Sequence, residues 1–180
     1  LHQRGWGAPD GPVEYGGTGW ALQQRYMFQE ECQKANAPST VMMGIQMLGP
    51  MLMQFGTPSE KERVLPGIIS GENVWCQDYS EPGSGSDLAS LKTTADHDGD
   101  DFVVNGTKIW TSMAHYSDWI FCLVRTDKAV KPQVGISFLL IDMATPGITV
   151  KPFTSLDGEV EQCQVFFEDV RVPSANLLGE

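Results

Sequence analysis

The sequence predicts an α+β protein in which a helical N-terminal part, residues 1–71, precedes a β domain, residues 72–180. Two observations carry this reading. Apolar residues recur at helical spacing from Trp20 to about residue 70, and beyond residue 72 the period becomes two residues. The second part also breaks into seven short β-type runs separated by turn signals, a spacing that suits a compact barrel or sandwich. The chain has 180 residues, 41% of them hydrophobic and 19% charged, which is ordinary for a globular protein and unlike a disordered one. At this length roughly 70% of the unfolded surface can be buried, so a real core is available.

The first twenty residues are rich in Gly and Pro and read as an ordered loop. The first helix is predicted over 20–34, with Leu22 and Tyr26 at helical spacing. A second starts near Pro38 and Ser39 and runs through Val41, Met42, Ile45, Met47 and Leu48. Pro50 has no N–H to give a helix interior, so a break or kink is expected there. Met51, Leu52 and Phe55 continue the pattern, and Gly56 ends it. Thr57-Pro58-Ser59-Glu60 is a helix start: Thr57 caps, Pro58 takes the first helical position, and Glu60 completes a capping box. The third helix carries Val64, Leu65 and Ile68 on one face and ends near Gly71. Strands are predicted over 74–79, 89–97, 102–111, 118–126, 134–141, 148–152 and 164–167. Asp98-Gly99-Asp100, Asn105-Gly106, Pro146-Gly147 and Asp157-Gly158 are the turn signals.

Charge excludes one class of partner. Twelve Lys and Arg against 23 Asp and Glu leave a net charge of −11, whereas nucleic acid needs a basic face. No run of 18 apolar residues occurs, so no membrane span is expected. The N-terminus lacks a signal-peptide layout, and it lacks a Met, so Leu1 need not be the natural start. Cys32, Cys76, Cys122 and Cys163 are widely spaced and read as reduced, mostly buried thiols. His2, His97 and His115 show no zinc-ligand spacing.

Three motifs bear on chemistry. Asp96, Asp98 and Asp100 imitate the start of a calcium loop, but its required Gly is Asp101 and its required Glu is Thr107. A charged hairpin turn is the expectation. Gly83-Ser84-Gly85-Ser86 is neither G-x-G-x-x-G, since Leu88 holds the third glycine position, nor G-x-S-x-G. What remains is a flexible loop whose closely spaced amides and hydroxyls suit an anion, or a plain surface turn. Trp110-Thr111-Ser112 sets an indole beside two hydroxyls at a strand end. That suits a flat aromatic cofactor or simply a barrel rim.

Taken together, the segments Ser80-Glu81-Pro82-Gly83-Ser84-Gly85-Ser86-Asp87 and Asn105-Gly106-Thr107-Lys108-Ile109-Trp110 closely resemble the acyl-CoA dehydrogenase family patterns T/S-E-P-G-x-G-S-D and N-G-x-K-x-W-I-T. Pro12 to Gly17, Phe55-Gly56-Thr57 with Leu65-Pro66 and Ser70-Gly71-Glu72, and Phe167 to Pro173 with Asn176 to Glu180 extend the resemblance over nearly the whole chain, in order. It implies that residues 1–71 are the C-terminal part of an N-terminal helical domain. Residues 72–180 would then be a mostly antiparallel, β-barrel-like middle domain. The implied reaction is FAD-dependent α,β-dehydrogenation of an acyl-CoA thioester to the 2-enoyl-CoA.

The resemblance also implies site residues. The segment 77–86 would line FAD, beginning at Gln77, with Ser80 at the pyrimidine edge and Gly85 and Ser86 at the pyrophosphate. Ser86 would also lie near the acyl-CoA. Trp110 would cover the flavin, Thr111 would follow it, and Ser112 would donate toward N5. Many relatives have an aromatic residue at Gln77, Thr at Ser80 and Trp-Ile-Thr at Trp110-Thr111-Ser112. These variants point to bacterial subgroups acting on less ordinary acyl groups, including steroid side chains. The catalytic Glu is expected in a C-terminal bundle outside this chain. Glu81 and Glu168 are therefore read as structural, no catalytic residue is assigned, and the chain alone is expected to be inactive. An electron-transfer flavoprotein would accept the electrons. The full-length protein would be a homo-oligomer, in bacterial cytoplasm or the mitochondrial matrix. The competing readings are a non-catalytic flavin- or CoA-binding subunit of a heteromer and an acyl-CoA oxidase relative.

Overall fold

A computed structural model describes residues 2–40 and 42–179. The chain divides into two compact units, Leu1–Asn73 and Val74–Glu180. The first holds α1 (Leu22–Lys34), α2 (Gly49–Phe55) and α3 (Pro58–Ser70). The second holds one seven-stranded sheet: β1 (Trp75–Asp78), β2 (Thr94–Asp98), β3 (Asp101–Ser112), β4 (Trp119–Arg125), β5 (Ile136–Asp142), β6 (Ile148–Phe153) and β7 (Gln162–Pro173).

In the helical unit the Thr57 capping box forms as its residues dictate. Thr57 Oγ1 accepts from the Glu60 N–H at 3.2 Å, and Glu60 Oε2 accepts from the Thr57 N–H at 2.6 Å. Gly71, at φ 80°, ends α3 in the left-handed conformation that glycine adopts freely. Val64, Leu65 and Ile68 are buried together, as their spacing requires. Pro50 does not break its helix. A π-helical stretch, Met43–Leu48, runs directly into α2, and the Gly49 N–H reaches back to the Gly44 carbonyl. The wider turn absorbs the missing donor. Val41, placed on this helix by its sequence, lies outside the described residues. Thr57→Ala removes one cap partner and is expected to lower unfolding free energy by about 1 kcal/mol, read by urea denaturation.

In the β unit the strand order is β1-β4-β2-β3-β7-β6, with β5 on β4. Pairing is antiparallel except where β1 and one residue of β2 meet β4 in parallel. β3 and β7 form the longest ladder. The core is built from alternate residues of these strands, among them Phe102, Val104, Ile120, Leu139, Val165 and Val170.

Several elements differ from the sequence reading. Asn105-Gly106 is not a turn but lies inside β3. The Asn105 side chain clasps Asp169, accepting from its N–H at 2.9 Å and donating to its carboxylate at 3.0 Å, and so stabilises an irregularity in β7. A Cβ at Gly106 would sit 2.7 Å from the Thr93 Cα, so this position takes glycine because two backbones meet there. The run 89–97 is a strand only over Thr94–Asp98, after a short 3₁₀ turn at Leu88–Ser90. β7 extends well beyond the expected 164–167, because β3 offers it an edge of twelve residues. The Asp-rich turn is a charged hairpin: Lys128 pairs with Asp96, and Arg171 with Asp98 and Asp101.

Candidate functional site

Every predicted site residue falls on β1, on the loop after it, or at the C-terminal end of β3. β3 is irregular at Trp110. Ile109 pairs with Gln164 and Thr111 with Cys163, so Trp110 is an extra residue in β3 with no opposite number. Its φ is 66°, a conformation that a bulky side chain adopts only in a bulge or turn. The bulge shifts the strand's alternation by one. Lys108 and Thr111 are both fully buried, and Trp110 between them is 62% exposed. The indole is backed by the edge of Phe153, with ring centroids 5.2 Å apart at 83°. Ser112 follows, its Oγ accepting from Gln162 Nε2 at 3.1 Å.

The loop 80–87 is tied to this end of β3. The Ile109 N–H donates to the Ser80 carbonyl at 3.0 Å. Glu81 and Ser84 exchange backbone hydrogen bonds of 2.7 and 3.1 Å, closing a tight turn, and Ser84 Oγ donates to the Asp87 carbonyl. Gly85 and Ser86 are exposed beyond the turn. A Cβ on Gly83 or Gly85 would meet nothing within 4 Å, so the chain's own packing does not demand these glycines. That leaves room for a ligand to approach the backbone closely. Gln77, on β1, hydrogen-bonds the Tyr79 phenol, whose pKa is raised by burial. Thr111 differs from its neighbours. Its hydroxyl points inward and donates to Asp78 Oδ1 at 2.7 Å, so it is turned away from the exposed indole.

Beneath the surface residues lies a buried polar cluster. Lys108 Nζ donates to the Tyr79 carbonyl at 3.2 Å and the Leu123 carbonyl at 2.7 Å, and pairs with Glu81 at 3.1 Å. Glu81 also accepts from the Lys92 and Thr93 N–H groups at 2.6 and 2.8 Å. Burial raises the Glu81 pKa, but these two amides and the Lys108 ammonium outweigh it and hold the group below the usual carboxylate range. Glu81 is thus the structural residue its sequence context implied. Asp78 and Lys108 were given no role by the sequence reading. The available signal was the alternation of β1, which puts Asp78 on the same side as the core residue Cys76. Among the described residues no group of three His, Cys, Asp or Glu could hold a metal ion.

These residues fit a flavin. The exposed indole offers a flat apolar wall, Ser112 at the same strand end and Ser80 on the loop tied to it carry hydroxyls, and the open glycines of the loop leave room for a phosphate. The family model of the acyl-CoA dehydrogenase middle domain matches residues 76–170, and that of the N-terminal domain matches residues 1–72. The acyl-CoA dehydrogenase IpdE1 of Mycobacterium tuberculosis is 46% identical over 169 residues, 93% of this chain and 44% of its own. The solved steroid ACAD Tcur3481-Tcur3483, as its G363A variant, superposes with a TM-score of 0.93 at 38% identity, over 100% of this chain and 47% of that one. The ChsE4-ChsE5 complex from Mycobacterium tuberculosis superposes with a TM-score of 0.90 at 40% identity, over 99% and 46% respectively. The chain spans less than half the length of these relatives.

Proposed function

Because the chain belongs to the acyl-CoA dehydrogenase family, we propose that it supplies the flavin-binding part of an enzyme that desaturates an acyl-CoA thioester to the 2-enoyl-CoA. The Trp110 bulge is the observation that carries this reading: a strained, outward-turned indole at a strand end is what a cofactor wall requires and what a solvent-facing rim does not. FAD would supply the two-electron acceptor for the oxidation. Trp110 would form the wall, Ser80 and Ser112 would offer hydroxyls to its polar edges, and Gly85 and Ser86 would receive the pyrophosphate. Gln77 sits at the start of the lining segment, and Ser86 also serves the acyl-CoA. Thr111 contributes from below, by holding the bulge.

No base is assigned within this chain. Glu81 is spent on Lys108 and two amides, and Glu168 is an exposed residue of β7 beside the Asn105–Asp169 clasp. The base and much of the acyl pocket belong to the remainder of the full-length protein, as does an oligomer interface. The substrate class proposed is a steroid-derived acyl-CoA, on the strength of the steroid ACAD among the similar structures. An electron-transfer flavoprotein is the proposed acceptor. A compartment such as bacterial cytoplasm or the mitochondrial matrix accords with bacterial and mitochondrial relatives. Among the described residues no helix is long and apolar enough to cross a membrane.

The second reading is a subunit of a heteromer, favoured by the two-component titles of the similar structures. The test is a FAD titration of the full-length protein, followed by flavin fluorescence, alone and with a candidate partner subunit. Saturable quenching by the protein alone supports a complete flavin site; quenching only with the partner present supports the heteromer. No binding in either case overturns the flavin reading. The 180-residue chain alone is expected to show no desaturation of any acyl-CoA, and measurable turnover by it would contradict the absence of a base.

A further inference from the structure

Trp110 is held at φ 66°, an unfavourable backbone conformation for a bulky side chain. Asp78 is 1% exposed, its Oδ1 accepts the Thr111 hydroxyl at 2.7 Å, and its Oδ2 has no partner. Thr111 is fully buried and directly follows Trp110, on the far side of the bulge. The Asp78–Thr111 bond thus ties the residue after the bulge in β3 to β1.

We infer that Asp78 is a positioning residue for Trp110: its carboxyl holds Thr111 in the sheet interior, and Thr111 so held keeps the indole turned outward. That the positioned indole serves a flavin rests on the reading above; that Asp78 positions it does not. The groups facing Asp78 are Lys108 and Thr111 of β3, Glu81 of the loop, Cys76 of its own strand, Cys122 of β4 and Cys163 of β7. Burial pushes the Asp78 carboxyl up to about 8. The Thr111 hydroxyl and the Lys108 ammonium oppose the rise, and Glu81 adds to it. On ionisation Oδ2 becomes a buried charge with no donor, and the contact beneath the bulge must rearrange.

The coupling is read on the full-length protein labelled with 5-fluorotryptophan, with the Trp110 ¹⁹F resonance assigned by Trp110→Phe. In the native sequence this resonance is expected to move between pH 6 and 10 with a midpoint near 8. In Asp78→Asn it should stay at its low-pH position throughout. Thr111→Val, close to isosteric, should broaden the resonance at every pH and weaken FAD binding about tenfold. A Trp110 resonance that keeps its native position and width in Thr111→Val, or that titrates unchanged in Asp78→Asn, overturns the inference. If the resonance behaves as expected but FAD does not bind, the positioning role stands and the flavin reading falls.

Discussion

Replacing Trp110 with alanine is expected to weaken FAD binding by about 2–3 kcal/mol, roughly a 30- to 150-fold rise in Kd. The magnitude follows from what is removed. An indole that is 62% exposed in the chain can cover one face of a flat ring system, and the aromatic contact adds about 0.5–1.5 kcal/mol to the area buried. The fold should hardly notice the change, because most of the indole faces outward and its ring meets only the edge-on face of Phe153 among the aromatic pairs of the described residues. Unfolding free energy is expected to stay within about 1 kcal/mol of the native value. Trp110→Gly should be somewhat more stable than Trp110→Ala, since glycine relieves the positive φ. A titration with both variants separates the two contributions. Native-like affinity in both would show that the indole is not the flavin wall.

Lys108→Met should be the most damaging single change to stability, costing about 3–5 kcal/mol. The side chain is fully buried, and its ammonium satisfies two carbonyls and one carboxylate. Methionine fills most of the volume but leaves Glu81 as a buried charge short of its cation. Adding Glu81→Gln to Lys108→Met should restore part of the loss, because the neutral amide removes that uncompensated charge. Acid denaturation gives a second readout. Glu81 has a depressed pKa in the folded state, so its contribution is present above the unfolded value and is lost as pH falls through the folded one. Without Lys108 its folded pKa rises, and acid unfolding should begin at higher pH. A cost below about 1 kcal/mol for the single change would show that the ion pair does not organise the loop.

The fold class and most elements could be read from residue order alone, because local chemistry decides them. Thr57, Pro58 and Glu60 each have one low-energy role at a helix start, and they take it. Asn105-Gly106 misled because the same dipeptide serves a hairpin turn and a mid-strand close approach. Thr93, packed against Gly106, distinguishes them, and it is brought there by the register of the hairpin that turns at Asp98-Gly99-Asp100. Pro50 misled because a π-helical turn, unlike an α-helical one, absorbs the missing donor. The indole-and-hydroxyl motif was visible in the sequence, but its phase was not. A strict alternation through Trp110-Thr111-Ser112 cannot show that Trp110 is inserted and that Thr111 therefore faces inward. The joining of Asp78, Lys108 and Glu81 into one cluster was hidden for a similar reason: charged residues in strands read as surface, and only the β1 alternation hinted that Asp78 faces the core.

The long β3–β7 ladder also governs how the domain must fold. It joins residues about sixty apart in the chain, and the parallel β1–β4 pairing spans more than forty. Such non-local closure places folding in the slow range of milliseconds to seconds. During synthesis β3 is complete while its partner is still to come, and it presents an unpaired edge of twelve residues with apolar side chains at Phe102, Val104 and Ile109. Until β7 arrives, that edge is the segment of the nascent domain most exposed to pairing with another chain.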